Sequence, residues 1–136
     1  MKIIEQSCEW FQRLPADALQ IIELAGRVAY KSEDRITDDG AQRFVSMIMQ
    51  SGHESVIEHV SASMRFITDR GVLAEITGHR ISSFSVESSR FCNYSKAKFG
   101  SEITVVRPVD LAPEDGAYLT WYLAMRNAET AYFDML

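Results

Sequence analysis

The chain has 136 residues, enough for one domain with a real core, and its 46% hydrophobic and 24% charged content is ordinary for a globular protein. A formal net charge of −5, from 14 basic and 19 acidic side chains, argues against a general nucleic-acid surface. No apolar run approaches the roughly 18 residues of a membrane span. The N-terminal stretch MKIIEQSCEW has no cleavable signal pattern, and Cys8 and Cys92 show neither CxxC nor metal-ligand spacing. Expected, therefore, is a cytoplasmic single domain over residues 1–136, with no metal, no nucleic acid and no membrane among its partners.

In chain order, KIIEQ (residues 2–6) predicts a short strand. From Pro15, PADALQIIELAGRVAY places Leu19, Ile22, Ala25 and Val28 with Ala29 on one stripe of a helix, and KSEDRITDDG is a polar connection. AQRFVSMIMQSG predicts a second helix with Phe44, Val45, Ile48 and Met49 inward and Gly52 as its stop. VSASMRFIT alternates Val60, Ala62, Met64 and Phe66 with Ser61, Ser63 and Arg65, the pattern of a half-buried strand. RGVLAEITGHR predicts one short helix ended near Gly78. ISSFSVESSRFCNYS is predicted irregular, and EITVVRPV a strand stopped by Pro108. PEDGAYLTWYLAMRNAETAYFDML predicts a helix opened by Pro and acids. Its apolar pattern runs to the last residue, so a domain truncated at its C-terminus is expected. Strands and helices mix without a regular βαβ beat, which makes the class α+β.

The chemistry concentrates in GHRISSFSVESSRF, residues 78–91. If residues 84–90 are extended, Ser88 and Arg90 point the same way, because side chains alternate with period two. A hydroxyl and a guanidinium on one face suit a phosphate, the Arg as a bidentate donor and the Ser as a neutral one. His79 and Arg80 precede them, Lys96 and Lys98 follow, and Glu87 is the only acid between residues 76 and 101. A phosphate or pyrophosphate site is one reading and a solvated polar loop the other. Ser88 as an acyl nucleophile lacks a G-x-S-x-G elbow and an acid–His pair at a recognisable spacing.

HESVIEH invites a metal reading that fails on geometry. It is not H-E-x-x-H, and His53 and His59 stand six residues apart, which on an α-helix of about 100° per residue turns them to different sides. Glu54 and Glu58 would share a helical face. Two acids alone make no zinc or iron site, which leaves a His or Glu reaching a polar ligand, or a surface turn.

Together these residues resemble the flavin-dependent thymidylate synthases. That family carries an R-H-R-x7-S-x-R signature, and GHRISSFSVESSR supplies His79, Arg80, Ser88 and Arg90 at its spacing. SGHESVIEH is similar to the family's G-H-x-S/T-x-x-E-H element at Gly52, His53, Ser55, Glu58 and His59. RVAYKSED and SSRFCNYSK are also in character. Gly78 stands where the signature has its first Arg, and Val86 where a polar residue is usual.

The resemblance implies a twisted sheet flanked by helices, assembled as a homotetramer with active sites where subunits meet. It implies FAD as cofactor, dUMP as substrate, and methylenetetrahydrofolate and NADPH as co-substrates in the formation of dTMP, with no enzyme cysteine attacking the uracil. His79 and Arg80 would contact FAD, with Ser55 and Glu58 lining the flavin and His53 at the mouth where flavin and folate meet. Ser88 and Arg90 would take the dUMP phosphate, helped by backbone amides of Glu87 to Ser89. The family's C-terminal part, with further flavin contacts and the Arg that polarises the uracil, is missing from the match. A non-catalytic flavin- or nucleotide-binding remnant, or a subunit completed by a separate C-terminal chain, are the alternatives.

Overall fold

In the computed structural model, which describes residues 1–136, the first strand β1 (Lys2–Ile4) runs parallel to the last, β4 (Thr104–Val106). Lys2 faces Thr104 and Ile4 faces Val106, and the ladder is extended by Lys2 N–H on Ile103 O and Arg107 N–H on Ile4 O, both 2.9 Å. Arg107 closes this end with its side chain, donating Nε and Nη2 to the two carboxylate oxygens of Glu5 at 2.8 and 3.0 Å. A second strand pair joins β2 (Ser7–Gln12) to β3 (Ser63–Ile67). The helices are α1 (Ala18–Val28), α2 (Ala41–Gln50), α3 (Arg70–Thr77) and α4 (Gly116–Asp134), with 3-10 turns at Glu33–Arg35, Glu54–His59 and Ala97–Phe99. Helices and strands are thus mixed in an α+β organisation.

The chain divides into two compact units, Met1–Cys8 with Phe66–Leu136 and, separately, Glu9–Arg65. In the second unit α1 packs on α2 and on the Glu54–His59 turn. Ile22, Ala41, Phe44, Val45 and Ile48 are the buried apolar side chains. The buried face of α1 is Ile22, Glu23 and Gly26, not the expected stripe through Ala25 and Val28, and Val28 is exposed. Gly26 explains the rotation. A Cβ there would lie 2.7 Å from the Phe44 ring and 3.2 Å from Val56, so the bare backbone lets the ring close on α1. On α2 the expected inward residues are buried except Met49, which is exposed.

In the first unit Glu129 of α4 is the buried polar anchor. It accepts the Ile103 N–H at 3.1 Å, beside β4, and the Met1 ammonium at 2.9 Å, beside β1. Two expectations are corrected here. β3 is exposed at every position but Ile67, so its alternation does not signal half-burial; Met64 and Phe66 have no layer over them. α4 begins at Gly116, leaving Pro113 and Glu114 in the preceding turn; Asp115 accepts the Ala112 N–H there at 2.8 Å. No helix is long and apolar enough to cross a membrane.

Candidate functional site

Helix α3 delivers the His-Arg pair. Asp69 caps it, its Oδ1 accepting the N–H groups of Gly71 and Val72 at 2.7 and 3.0 Å, and Oδ2 taking Gln6 Nε2 at 3.3 Å. The helix ends at Thr77, and the carbonyls of Glu75 and Ile76 accept the N–H groups of Gly78 and His79, both at 3.1 Å. His79 and Arg80 follow, both exposed. Ile81 then takes φ +55°, a left-handed conformation that costs an L-residue about 1–2 kcal/mol. Gly78 itself sits at φ −74°, ψ −15°, which any residue adopts, so the backbone does not demand glycine there.

Residues 82–88 have no regular structure, as their composition predicted, but the premise of an extended run through Arg90 fails. The chain turns at Ser88. Its carbonyl accepts the N–H groups of Phe91 and Cys92 at 3.1 and 3.0 Å, and its hydroxyl accepts the Arg90 N–H at 3.3 Å. A serine hydroxyl that bonds the backbone two residues on favours a turn over a strand. The amides of Arg90, Phe91 and Cys92 are therefore satisfied on Ser88, while those of Glu87, Ser88 and Ser89 donate to no protein group. Arg80 and Arg90 are exposed and enter no ion pair. Glu87, the one nearby acid, is engaged by the Tyr94 hydroxyl. That bond, with lesser help from burial, pushes the Tyr94 phenol up to about 12. Tyr94 lies in SSRFCNYSK, a stretch whose residue types assign it no role. No spacing rule marks a tyrosine seven residues from the acid it holds.

His53, Ser55 and Glu58 lie in the other unit, Glu9–Arg65. α2 ends in a full glycine-capped turn: Gly52 at φ +70° donates to Met49 O at 3.1 Å, and His53 N–H reaches back to Ile48 O at 3.1 Å. That geometry fixes where His53 starts the Glu54–His59 segment. The segment is a 3-10 helix, with about three residues per turn, so side chains three apart eclipse. Ser55 therefore shares a face with Glu58, and the α-helical expectation that Glu54 would do so is corrected. Ser55 and Glu58 are exposed, while Val56 and Ile57 between them are half-buried and hold the turn down. The structure thus brings Glu87, Ser88, Ser89 and Arg90 into one turn, puts His79 and Arg80 in the same unit, and assigns His53, Ser55 and Glu58 to the other.

A cavity of about 350 Å³ in the first unit is lined by Cys8, Phe66, Thr68, Val72 and Ile76 among others. It contains none of these candidate residues, and its apolar walls do not suit an anion.

Among known proteins, the model of the family described as thymidylate synthase complementing protein matches residues 12–136. The chain is 42% identical over 77 residues to a probable flavin-dependent thymidylate synthase of Mycobacterium phage L5, covering 55% of this chain and 32% of that protein. It is 26% identical over 98 residues to a flavin-dependent thymidylate synthase of Clostridium tetani, covering 71% of this chain and 37% of that one. With the relative from Nitratidesulfovibrio vulgaris the figures are 32% over 93 residues, 68% of this chain and 36% of the relative. The chain spans about a third of the length of these curated relatives. No solved structure matches it.

Proposed function

We propose, because the chain belongs to the thymidylate synthase complementing protein family, that it binds FAD and dUMP as part of a flavin-dependent thymidylate synthase. The reaction is methylation of dUMP to dTMP with methylenetetrahydrofolate and NADPH. The observation that carries this reading is the turn at Ser88, with three unpaired amides at Glu87 to Ser89 and a guanidinium at Arg90 that no carboxylate neutralises.

The donor set fits the anions it would meet. Arg90 and the free amides hold the nucleotide phosphate through charge-assisted hydrogen bonds, worth about 1.5–3 kcal/mol each for charged partners. The Ser88 hydroxyl accepts from Arg90 N–H, which leaves its own proton free to donate. His79 and Arg80 take the dinucleotide's phosphates, and Ser55 and Glu58 present one polar face to the flavin, with His53 beside them. When bound, the flavin supplies the reducing equivalent and mediates transfer of the folate's one-carbon unit to the uracil ring. No group of three or more His, Cys, Asp and Glu side chains is placed to hold a metal ion. The assembly we infer is a homotetramer with sites at subunit interfaces; exposed Phe11, Ile81 and Phe91 are consistent with further burial on association.

A second reading has its own support. Gly78 lacks the first signature guanidinium, and Val86 cannot hydrogen-bond through its side chain. Both favour a flavin- and nucleotide-binding module without catalysis. A FAD titration of the full chain, repeated with dUMP, tests the two together with an assay for dTMP. Flavin binding strengthened by dUMP supports the site, and dTMP formation decides for the enzyme. Binding without turnover decides for the module, and no binding of either ligand sinks both.

A further inference from the structure

We propose that Tyr94 is a positioning residue for the phosphate-binding turn, holding residues 87–92 through the Glu87 carboxylate in the shape that takes a phosphomonoester. The inference rests on reading that turn as the phosphate site, and it extends the reading to a residue outside the signature.

Tyr94 is tied at both ends. Its hydroxyl donates to Glu87 Oε1, immediately before Ser88, and its own backbone N–H donates to the Tyr132 hydroxyl of α4 at 3.1 Å. Its ring stands edge-on to Phe99 with centroids 6.1 Å apart and tilts against Tyr132 at 6.2 Å, and Tyr132 in turn meets Phe133 edge-on at 5.2 Å. Such aromatic pairs favour edge-on and offset arrangements, which fixes the orientation of the ring. On the other side of Tyr94, Asn93 Oδ1 accepts both the N–H and the hydroxyl of Ser95, at 2.9 and 2.6 Å, which pins the backbone in an Asx turn. Glu87 is thereby linked to α4, the longest helix of the unit.

The link has two consequences for an anion. It restrains Glu87, and with it the unpaired amides of Ser88 and Ser89, which otherwise belong to a stretch without regular hydrogen bonds. It also gives the Glu87 carboxylate a donor of its own, which lessens its repulsion of an approaching phosphate. The phenol, pushed up to about 12 chiefly by that bond, keeps its proton at neutral pH and remains the donor to Glu87.

The test uses the full chain with Tyr94→Phe, which keeps the ring and removes the hydroxyl, and Glu87→Gln, whose amide oxygen still accepts from Tyr94. Affinity for dUMP and for deoxyuridine is measured by calorimetry, and amide exchange of residues 87–92 by mass spectrometry. An absorbance titration follows the five tyrosines. Expected are dUMP binding weakened about tenfold in Tyr94→Phe with deoxyuridine binding unchanged, and faster exchange confined to 87–92. One phenol titrating near 12 should vanish from the titration. Glu87→Gln, whose amide oxygen still accepts from Tyr94, should keep the parent's amide exchange at residues 87–92. Parent-like dUMP affinity and exchange in Tyr94→Phe would overturn the proposal, as would exchange at 87–92 as fast in Glu87→Gln as in Tyr94→Phe. A parent chain that binds no dUMP, yet shows the exchange change in Tyr94→Phe, overturns the phosphate reading and supports the positioning by Tyr94.

Discussion

The Arg27 guanidinium lies over the Phe44 ring, 4.7 Å from its centroid, while donating to buried Glu23 at 2.8 and 3.1 Å. Three residues of different chemistry are thus joined at the only fully buried acid of the Glu9–Arg65 unit. Removing Arg27 alone strands a carboxylate that is 1% exposed, and such a loss costs about 3–5 kcal/mol. Replacing the pair together, Glu23→Leu with Arg27→Met, should cost distinctly less than Arg27→Ala, since no unpaired charge remains. Urea unfolding of the two variants beside the parent reads this directly, and a double variant no more stable than Arg27→Ala would count against it.

Two glycines should respond oppositely to the same change. Gly26→Ala drives a methyl to 2.7 Å from Phe44, and overpacking of this kind costs about 1–3 kcal/mol. Gly116→Ala, at the start of α4 with nothing within 4 Å of the new atom, should gain about 0.4–1 kcal/mol by restricting the unfolded chain. Denaturation midpoints moving in the same direction would contradict the packing described for Gly26.

Gly78→Arg should be tolerated, because φ −74° is open to any residue and its Cβ, 3.2 Å from the Glu75 carbonyl, asks the last turn of α3 to give by only a few tenths of an ångström. If the adjacent His79 and Arg80 take the dinucleotide's phosphates as proposed, the added guanidinium should tighten FAD binding by about tenfold or more. Calorimetry against FAD and riboflavin separates a phosphate effect from a general one; equal tightening of both would argue against the phosphate.

The pH dependence of stability follows from Glu129. Burial works to raise its pKa, but the Met1 ammonium and the Ile103 N–H outweigh it and hold the group below its ordinary 4.5. A folded-state value lower than the unfolded one gives stability that is present above 4.5 and lost as pH falls through the lowered value. The Met1 ammonium is raised above 8.0, mainly by its hydrogen bond to Glu129, so its share is present below 8.0 and lost as pH rises through the raised value. Glu129→Gln should therefore flatten both limbs of a plot of urea midpoint against pH, and parent-like limbs would remove Glu129 from this role.

The existence of the helices was legible in the sequence through apolar period and turn residues, and Gly52 after α2 works as expected. Asp69, whose side chain caps α3, carried no weight in that reading. β2 was missed because the alternation of SCEWFQ lasts only from Ser7 to Trp10 before Phe11 breaks it, and the strand is exposed throughout. The half-burial expected of β3 failed for a related reason: alternation records what a strand could bury, not whether a layer covers it. At the candidate site, the residue types of the anion segment were legible and its shape was not. The Ser88 hydroxyl captured the backbone of Arg90, a local competition that strand periodicity ignores. The 3-10 form of Glu54–His59 likewise moved Ser55, instead of Glu54, onto the face of Glu58.

All five buried apolar side chains belong to α1 and α2, whereas the anion segment lies in the unit made of Met1–Cys8 and Phe66–Leu136. The buried apolar core and the proposed phosphate turn therefore occupy different stretches of the same chain. In a saturation map of variants, losses of folding should gather between residues 18 and 50, and losses of dUMP binding without loss of folding between 87 and 94. Substitutions in the second stretch are then free to retune what the protein holds without endangering the scaffold, and a specificity can drift there while the fold stays put.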